Sequence, residues 1–292
     1  MPISALTGNV RGSLFALAAA AVFTIVSALV KYASAQYHVA EILFFRQMIM
    51  LLFVLPVLIR TFPTNLKTKR LGLHLLRLTG ALAALTLSFT AVAHLPLATA
   101  ISFSFTKTLF ATILAAIFLK EKVGWRRTTA ILVGFLGILI VLRPDADSAV
   151  SFYGLLAIIA ALGAATAVTC VRNMASTEST VTLLAYQAIF VGVLVAIPCY
   201  FVWKTPDLIG LLVLVSIGAT SFFAQWLGVQ SYRAGEVSVV TGMEYSKLIY
   251  AILIGIIVFS EWPDNTMLLG SLIIVGSSAF TIWREKRAKS GL

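Results

Sequence analysis

The amino-acid sequence predicts an all-α polytopic membrane protein with ten transmembrane helices in two inverted repeats of five. Three observations predict this fold class. Of the 292 residues, 60% are hydrophobic and 11% are charged, and the apolar residues stand in long blocks. Lys and Arg are concentrated in alternate connections between these blocks. Residues of the same type also recur 140–142 positions apart, which indicates an internal duplication.

A helix needs roughly 20 apolar residues to cross a bilayer. Ten apolar blocks approach this length, near residues 12–30, 42–59, 72–93, 98–118, 128–142, 153–171, 182–202, 208–227, 237–259 and 267–283. The first block follows Arg11 and resembles a secretory signal peptide. It is longer than the usual apolar region of about 7–15 residues and shows no clear cleavage site, so we expect it to be retained as the first span.

The loops predict the orientation of the chain. With the N-terminus in the cytoplasm, the cytoplasmic segments hold 15 Lys and Arg residues, and the opposite side holds three: Lys31, Arg143 and Lys204. Basic loops stay on the cytoplasmic side during membrane insertion. We therefore predict a multi-pass protein of the inner (plasma) membrane with both termini in the cytoplasm.

The charge distribution also predicts the partners. The cytoplasmic loops account for the net charge of +11, and no zinc pattern or recognition helix accompanies it, so we expect no nucleic-acid partner. The lipid bilayer and a small-molecule substrate are the expected partners. Ten helices can enclose a cavity within one chain, so a monomer is sufficient for function, and a dimer is equally compatible with the sequence.

The recurring residues divide the chain into two five-helix repeats, 1–147 and 148–292. Three matched pairs are each 140 positions apart: Gln47 with Gln187, Lys107 with Lys247, and Glu121 with Glu261. Because each repeat has an odd number of spans, the two repeats run through the membrane in opposite directions. Inverted repeats of this kind are common in secondary transporters, whose substrate site lies near the midplane.

The segment FLKEKVGWRRTTAILVGFLGILIVL (118–142) carries a family pattern. The fourth span of each repeat ends in a glutamate, in LKEK and in FSEW, and a glycine-containing fifth span follows. The whole chain resembles the drug/metabolite transporter superfamily, more narrowly its EamA-type exporters, and most of all the YddG-type bacterial amino-acid exporters. The resemblance implies a central cavity lined mainly by spans 1, 3, 4, 6, 8 and 9. It also implies that Glu121 and Glu261 are structural residues and not substrate ligands.

Two lysines lie in the middle of apolar spans. Lys107 and Lys247 each stand ten residues into their span, about 15 Å deep at the helical rise per residue. A charge at that depth is expensive, so each lysine must face a wet cavity or pair with a carboxylate. Either they line the cavity and meet an anionic group such as an amino-acid carboxylate, or they form structural ion pairs. The sequence leaves both interpretations open.

Glu244 precedes Lys247 by three residues, so the two side chains share a helix face and can pair. Alternatively, Glu244 binds a substrate ammonium or carries a coupling proton. Export can accordingly be proton-coupled or driven by the substrate gradient alone.

Aromatic residues supply the remaining predicted contacts. Phe103, Trp226 and Tyr245 lie on spans that the resemblance places around the cavity, and we expect them to contact an apolar part of the substrate. Packing or a lipid-facing position is the alternative for each. Two further charges, Arg46 and Arg77, lie near the ends of their spans, where long side chains reach the membrane surface. We expect both arginines to be surface anchors.

These observations predict a secondary transporter that exports small amphipathic metabolites, above all amino acids, aromatic or apolar ones included. It would work by alternating access through a midplane cavity between the repeats. A drug or lipophilic-cation exporter of the same fold is the alternative. The sequence has no GxxxxGK[ST] loop and no clustered nucleophile motif of an intramembrane enzyme, so we expect no enzyme activity, catalytic residue or cofactor. The histidines His38, His74 and His94 share no ligand spacing, so we expect no metal site.

Overall fold

The computed structural model describes residues 8–60, 68, 70–118, 125–142, 148–174, 178, 180–234 and 237–289. Across these residues the regular structure is helical, without strands, which confirms the predicted all-α class. The helices are α1 (Gly8–Ala33), α2 (Val39–Arg60), α3 (Leu71–His94), α4 (Leu97–Ser104), α5 (Thr106–Phe118), α6 (Trp125–Leu142), α7 (Ser148–Met174), α8 (Thr180–Val202), α9 (Leu208–Ala234), α10 (Val237–Glu244), α11 (Ser246–Phe259) and α12 (Asn265–Lys289).

Eight helical stretches in the described part of the chain are long and apolar enough to cross a membrane. Two of them, Leu97–Leu114 and Gly242–Phe259, continue across a break between two helices. The apolar parts of α6 and α12, Ile131–Leu142 and Asn265–Ser277, are shorter. The protein is therefore a polytopic membrane protein. The count of ten spans, the inverted repeats and the division after residue 147 stay predictions.

The outer surface of the bundle is apolar. Leu132, Leu136 and Leu139 on α6, and Leu269 and Leu272 on α12, are all more than half exposed. A surface of this kind is unfavourable in water but matches the hydrocarbon core of a bilayer. α-Helices are stable in the hydrocarbon core of a bilayer because their backbone hydrogen bonds form within the segment itself.

Glycines allow two pairs of helices to approach backbone to backbone. A Cβ atom on Gly80 of α3 would lie 2.8 Å from the carbonyl oxygen of Gly163 on α7. At a second crossing, a Cβ atom on Gly270 of α12 would lie 2.9 Å from the carbonyl oxygen of Gly137 on α6. Small residues at such crossings are the usual way in which membrane helices gain close packing. Each crossing joins one predicted half of the chain to the other.

The predicted fourth and ninth spans differ from the sequence prediction, because each is broken into two helices. The fourth span consists of α4 and α5, and the ninth consists of α10 and α11. The breaks fall at Phe105 (φ −70°, ψ −20°) and Tyr245 (φ −65°, ψ −17°). The N–H of Phe105 donates to Ser102 at 3.2 Å, and that of Tyr245 donates to Gly242 at 3.4 Å. Both bonds reach back three residues instead of the four of an α-helix. Neither position is proline, so the sequence pattern gave no sign of a break.

Hydroxyl side chains directly after the two breaks explain part of this tightening. Thr106 donates to the carbonyl of Phe103 at 2.7 Å, and Ser246 donates to the carbonyl of Met243 at 2.7 Å. Such bonds compete with the backbone ladder of the helix. The two half-helices of each span share a neighbour: α4 packs on α11 and α7, α5 mainly on α7, α10 mainly on α1, and α11 on α4 and α1.

Candidate functional site

The two helix breaks meet inside the bundle. The rings of Phe105 and Tyr245 lie 5.2 Å apart between centroids, with an interplanar angle of 56°. This contact places the beginning of α5 beside the beginning of α11. Lys107 and Lys247 each follow their break by two residues, so the geometry brings the two predicted lysines to one place.

Glu244 lies between the two lysines. Its Oε2 atom accepts a hydrogen bond from Nζ of Lys247 at 3.1 Å and lies 3.7 Å from Nζ of Lys107. The first contact is the one that the three-residue spacing predicts. The second was not predicted, because Lys107 and Glu244 are far apart in the sequence and meet only in the folded bundle.

The cluster formed by Lys107, Glu244 and Lys247 has two ammonium groups and one carboxylate. Their side chains are 37%, 23% and 16% exposed, so the cluster is neither sealed nor open to bulk solvent. Nζ of Lys247 also lies 5.0 Å from the centre of the Phe23 ring, a distance at which the ring stabilises a cation. Each ammonium has three donors, so the cluster retains capacity to bind one more anionic group.

The three predicted aromatic contacts fall in different environments. Tyr245 lies at the helix break beside the charged cluster. Phe103 is fully buried, with its ring against Gly154 of α7. Trp226 is 48% exposed and meets Phe15 of α1 edge to face at 6.5 Å. Their contact with a substrate stays a prediction for all three.

Arg46 is placed differently from the sequence expectation. It is 4% exposed and does not reach the membrane surface, because α2 is packed against both α8 and α9. Its Nε donates to the hydroxyl of Ser221 at 3.2 Å, and Nη1 donates to the side-chain carbonyl of Gln47 at 2.5 Å. The ring of Phe89 lies 6.0 Å from the guanidinium carbon. The expected surface anchor is thus a buried cation.

Arg77 is buried as well, with 3% exposure, so the second expected anchor is also corrected. Its terminal nitrogens donate to the side-chain carbonyl of Gln187 at 3.5 Å and to the backbone carbonyl of Leu183 at 3.0 Å. The side-chain amide of Gln47 donates to the backbone carbonyl of Gln187 at 3.1 Å. The matched spacing of the two glutamines was the one sequence signal that pointed to this buried polar layer.

Glu261 links three helices at the end of α11. It forms an ion pair with Lys31 of α1, and its Oε2 accepts the backbone N–H of Leu97, the first residue of α4, at 2.8 Å. Lys31 also donates to the carbonyl of Leu95 at 2.6 Å. These bonds hold α4 and α11 together on this face of the bundle. The matching Glu121 lies outside the described residues.

A second link on the same face joins the connection between α1 and α2 to the beginning of α9. The hydroxyl of Tyr37 donates to Oδ1 of Asp207 at 3.3 Å, and the same oxygen accepts the N–H of Gly210 at 2.8 Å. Burial, and next the negative charge of Asp207, raise the pKa of Tyr37. The phenol therefore stays protonated and able to donate at neutral pH.

A bundle of membrane-length helices with charged side chains at the junction of two broken helices is typical of membrane transporters. The chain belongs to the EamA-like transporter family, whose family model matches residues 10–143 and 151–283. This family lies within the drug/metabolite transporter superfamily, so the resemblance seen in the sequence is confirmed. The protein is therefore a transporter and not an enzyme.

Named relatives carry different substrates. The chain is 32% identical to the riboflavin transporter of Vibrio cholerae, over 96% of this chain and 95% of the relative. It is 30% identical to the S-adenosylmethionine uptake transporter of Rickettsia bellii, over 89% of both chains. It is 31% identical to the pseudopaline exporter of Pseudomonas aeruginosa, over 90% of this chain and 93% of the relative. A solved crystal structure with a TM-score of 0.62 covers 95% of this chain and 97% of its own chain at 14% identity, which supports the fold alone.

Proposed function

We propose that this transporter exports small amphipathic metabolites, with amino acids as the first candidates, by alternating access to a site at the two helix breaks. The observation that carries the proposal is the cluster in which Glu244 lies between Lys107 and Lys247. A substrate carboxylate can replace Glu244 on one or both lysines. Glu244 can then accept the substrate ammonium, so the cluster complements both charges of a zwitterion.

The neighbouring rings favour substrates with an apolar part. Phe105 and Tyr245 border the cluster, and Phe23 packs on the ammonium of Lys247. Aromatic faces and edges offer contact area to an apolar or aromatic side chain without leaving buried polar atoms unpaired. Amino acids with such side chains therefore match the cluster at both ends.

The packing of the half-helices supports alternating access. On the face that carries Glu261, α4 and α11 pack on each other and are tied together by the hydrogen bond from Leu97 to Glu261. If the termini are cytoplasmic, as the loop charges predict, this is the outer face, and alternating access would require this contact to open.

Transport by purified protein in liposomes tests the proposal. The panel contains apolar, aromatic, acidic and basic amino acids, with riboflavin and S-adenosylmethionine added because relatives carry them. We expect flux of at least one amino acid, and a fall of about tenfold or more in Lys107→Gln and Lys247→Gln, since a hydrogen bond to a charged group contributes roughly 1.5–3 kcal/mol. Lys204→Gln is the matched control, because this lysine lies at the exposed end of the bundle.

Unchanged flux in both lysine variants would remove the cluster from the substrate site. Measurement in both directions, with and without a pH gradient, separates export from uptake and proton coupling from facilitated transport. The alternative function, export of lipophilic cations, is opposed by the excess positive charge of the cluster. Cation flux that survives Lys107→Gln, without any amino-acid flux, would favour that alternative.

A further inference from the structure

Arg46 is a charge inside the membrane, and no carboxylate of the described residues forms an ion pair with it. It is the eighth residue of α2, so its Cα lies about 10 Å into the helix at the helical rise per residue. A cation at that depth is costly unless it is paired, faces water or binds a ligand. Because Arg46 is only 4% exposed, water at the protein surface has little access to its side chain.

All contacts of Arg46 in the described part of the chain are to neutral groups. Ion pairs among those residues join Lys31 to Glu261, His74 to Glu178, and both cluster lysines to Glu244. None of these carboxylates reaches the guanidinium. Ser221 and Gln47 accept two of its five N–H donors, and the remaining donors include both on Nη2, for which no described residue is an acceptor.

Three helices hold this guanidinium in place. Gln47 accepts from Arg46 while its own amide is fixed by the backbone of Gln187 on α8, so the accepting oxygen has one orientation. Ser221 belongs to α9, and the ring of Phe89 on α3 lies against the guanidinium. The guanidinium is thereby held in one orientation, and its Nη2 donors are fixed in place for an acceptor such as a carboxylate or a phosphate.

Arg77 differs from Arg46 in which of its donors lacks an acceptor. It is as deeply buried as Arg46. Both of its terminal nitrogens have acceptors, on Gln187 and on Leu183, whereas its buried Nε has none among the described residues. Arg77 therefore ties α3 to α8 with its terminal donors. Arg46 ties α2 to α9 through Nε and leaves Nη2 available.

We propose that Arg46 binds a second anionic group of the transported substrate, a carboxylate or a phosphate. This inference rests on the proposed function and adds to its substrate class amphipathic molecules with two separated acidic groups. Counted from the face that carries Glu261, Arg46 lies about 10 Å deep and Lys107 about 15 Å deep. The first acidic group binds at the lysine cluster, and the second points towards Arg46, nearer to that face.

Flux of glutamate and glutamine in liposomes tests the proposal, because the two differ in the second acidic group alone. We expect Arg46→Gln to raise the KM for glutamate by about tenfold or more and to leave that for glutamine unchanged, from the strength of hydrogen bonds to charged groups. Arg46→Lys keeps the charge without the fork and should retain part of the preference. Arg77→Gln is the matched control and should affect both amino acids equally. An equal loss for glutamate and glutamine in Arg46→Gln would overturn the proposal and make Arg46 a structural residue.

A second measurement does not depend on flux. Glutarate, a simple dicarboxylate, should raise the apparent unfolding temperature of the purified wild-type protein and of Arg77→Gln, because a ligand that binds the folded state stabilises it. The shift should be lost in Arg46→Gln and reduced in Arg46→Lys. No shift in the wild type would refute the second anion position even if amino acids are transported. A shift without amino-acid flux would keep the anion position and refute the proposed function.

Discussion

Phe105 and Tyr245 are 140 positions apart in the sequence, interrupt two helices in nearly the same backbone conformation, and pack against each other at 5.2 Å. This contact joins the two predicted halves at the level of the charged cluster. Discontinuous helices in transporters place backbone and side-chain groups around a substrate near the midplane. The ring pair therefore fixes the geometry in which Glu244 can contact both lysines.

The ring pair should contribute a measurable coupling energy. We expect a double-mutant cycle with Phe105→Leu and Tyr245→Leu to give about 0.5–1.5 kcal/mol, the range for aromatic pairs beyond their area burial. Reversible unfolding in detergent micelles would supply the four free energies. Phe152→Leu is a suitable control, because this ring is 57% exposed and pairs with its sequence neighbour Tyr153. Additive effects of the two central substitutions would mean that the rings are neighbours without mutual stabilisation.

Glu244→Gln should destabilise the protein and reduce transport. The substitution leaves Lys107 and Lys247 facing each other without the carboxylate between them, at a cost of about 1–3 kcal/mol for groups left unpaired. The double variant Glu244→Gln/Lys107→Gln removes the repulsion and should recover part of the lost stability. Unfolding free energies of Glu244→Gln, Lys107→Gln, the double variant and the wild type check this. A double variant that is less stable than Glu244→Gln alone contradicts the shared-carboxylate geometry.

Gly80→Ala should weaken the crossing of α3 and α7. The added methyl group would lie 2.8 Å from the carbonyl oxygen of Gly163, so the helices must move apart, and overpacking of this kind costs about 1–3 kcal/mol. Gly228→Ala on α9 is the control, because no atom lies within 4 Å of its Cβ position. That change should be neutral or slightly stabilising, since alanine favours helices over glycine by about 1 kcal/mol. Similar melting temperatures for the two variants would show that the crossing tolerates the methyl group.

Glu261→Ala should open the face at which α4 and α11 meet. The variant loses the ion pair with Lys31 and the acceptor for the N–H of Leu97. A cysteine introduced at Thr99, which lies 7% exposed beside this contact, should then react faster with a membrane-impermeant thiol reagent. The charge swap Lys31→Glu/Glu261→Lys restores the ion pair but not the acceptor for Leu97, so it should slow the reaction in part. An unchanged labelling rate in Glu261→Ala would show that packing alone closes this face.

The charged cluster could be predicted in part. The depth of Lys107 and Lys247 follows from counting residues in an apolar block, and the contact of Glu244 with Lys247 follows from their spacing on one helix. The contact of Glu244 with Lys107 needs the relative rotation and position of two distant helices, which no local pattern contains. The breaks at Phe105 and Tyr245 were not predicted for a similar reason. The residue types at these positions do not indicate a turn, and tertiary contacts stabilise it.

The burial of Arg46 and Arg77 also could not be predicted from the sequence. A long cation one or two turns inside a span can reach the membrane surface or turn into the bundle, and the sequence is identical in both cases. Packing of α2 against α8 and α9 decides the question for Arg46, and acceptors on Gln187 and Leu183 decide it for Arg77.

The sequence by itself determined that this protein is a helical membrane transporter of the EamA-like family. The hydrophobicity of a segment and the similarity of the chain to a family both depend on the order of the residues alone. Neither depends on how the helices pack. The tertiary structure alone decided that one carboxylate serves two lysines, that two spans are broken, and that Arg46 is buried among neutral acceptors. These properties depend on which faces of separate helices meet, and that choice is made by packing over the whole bundle.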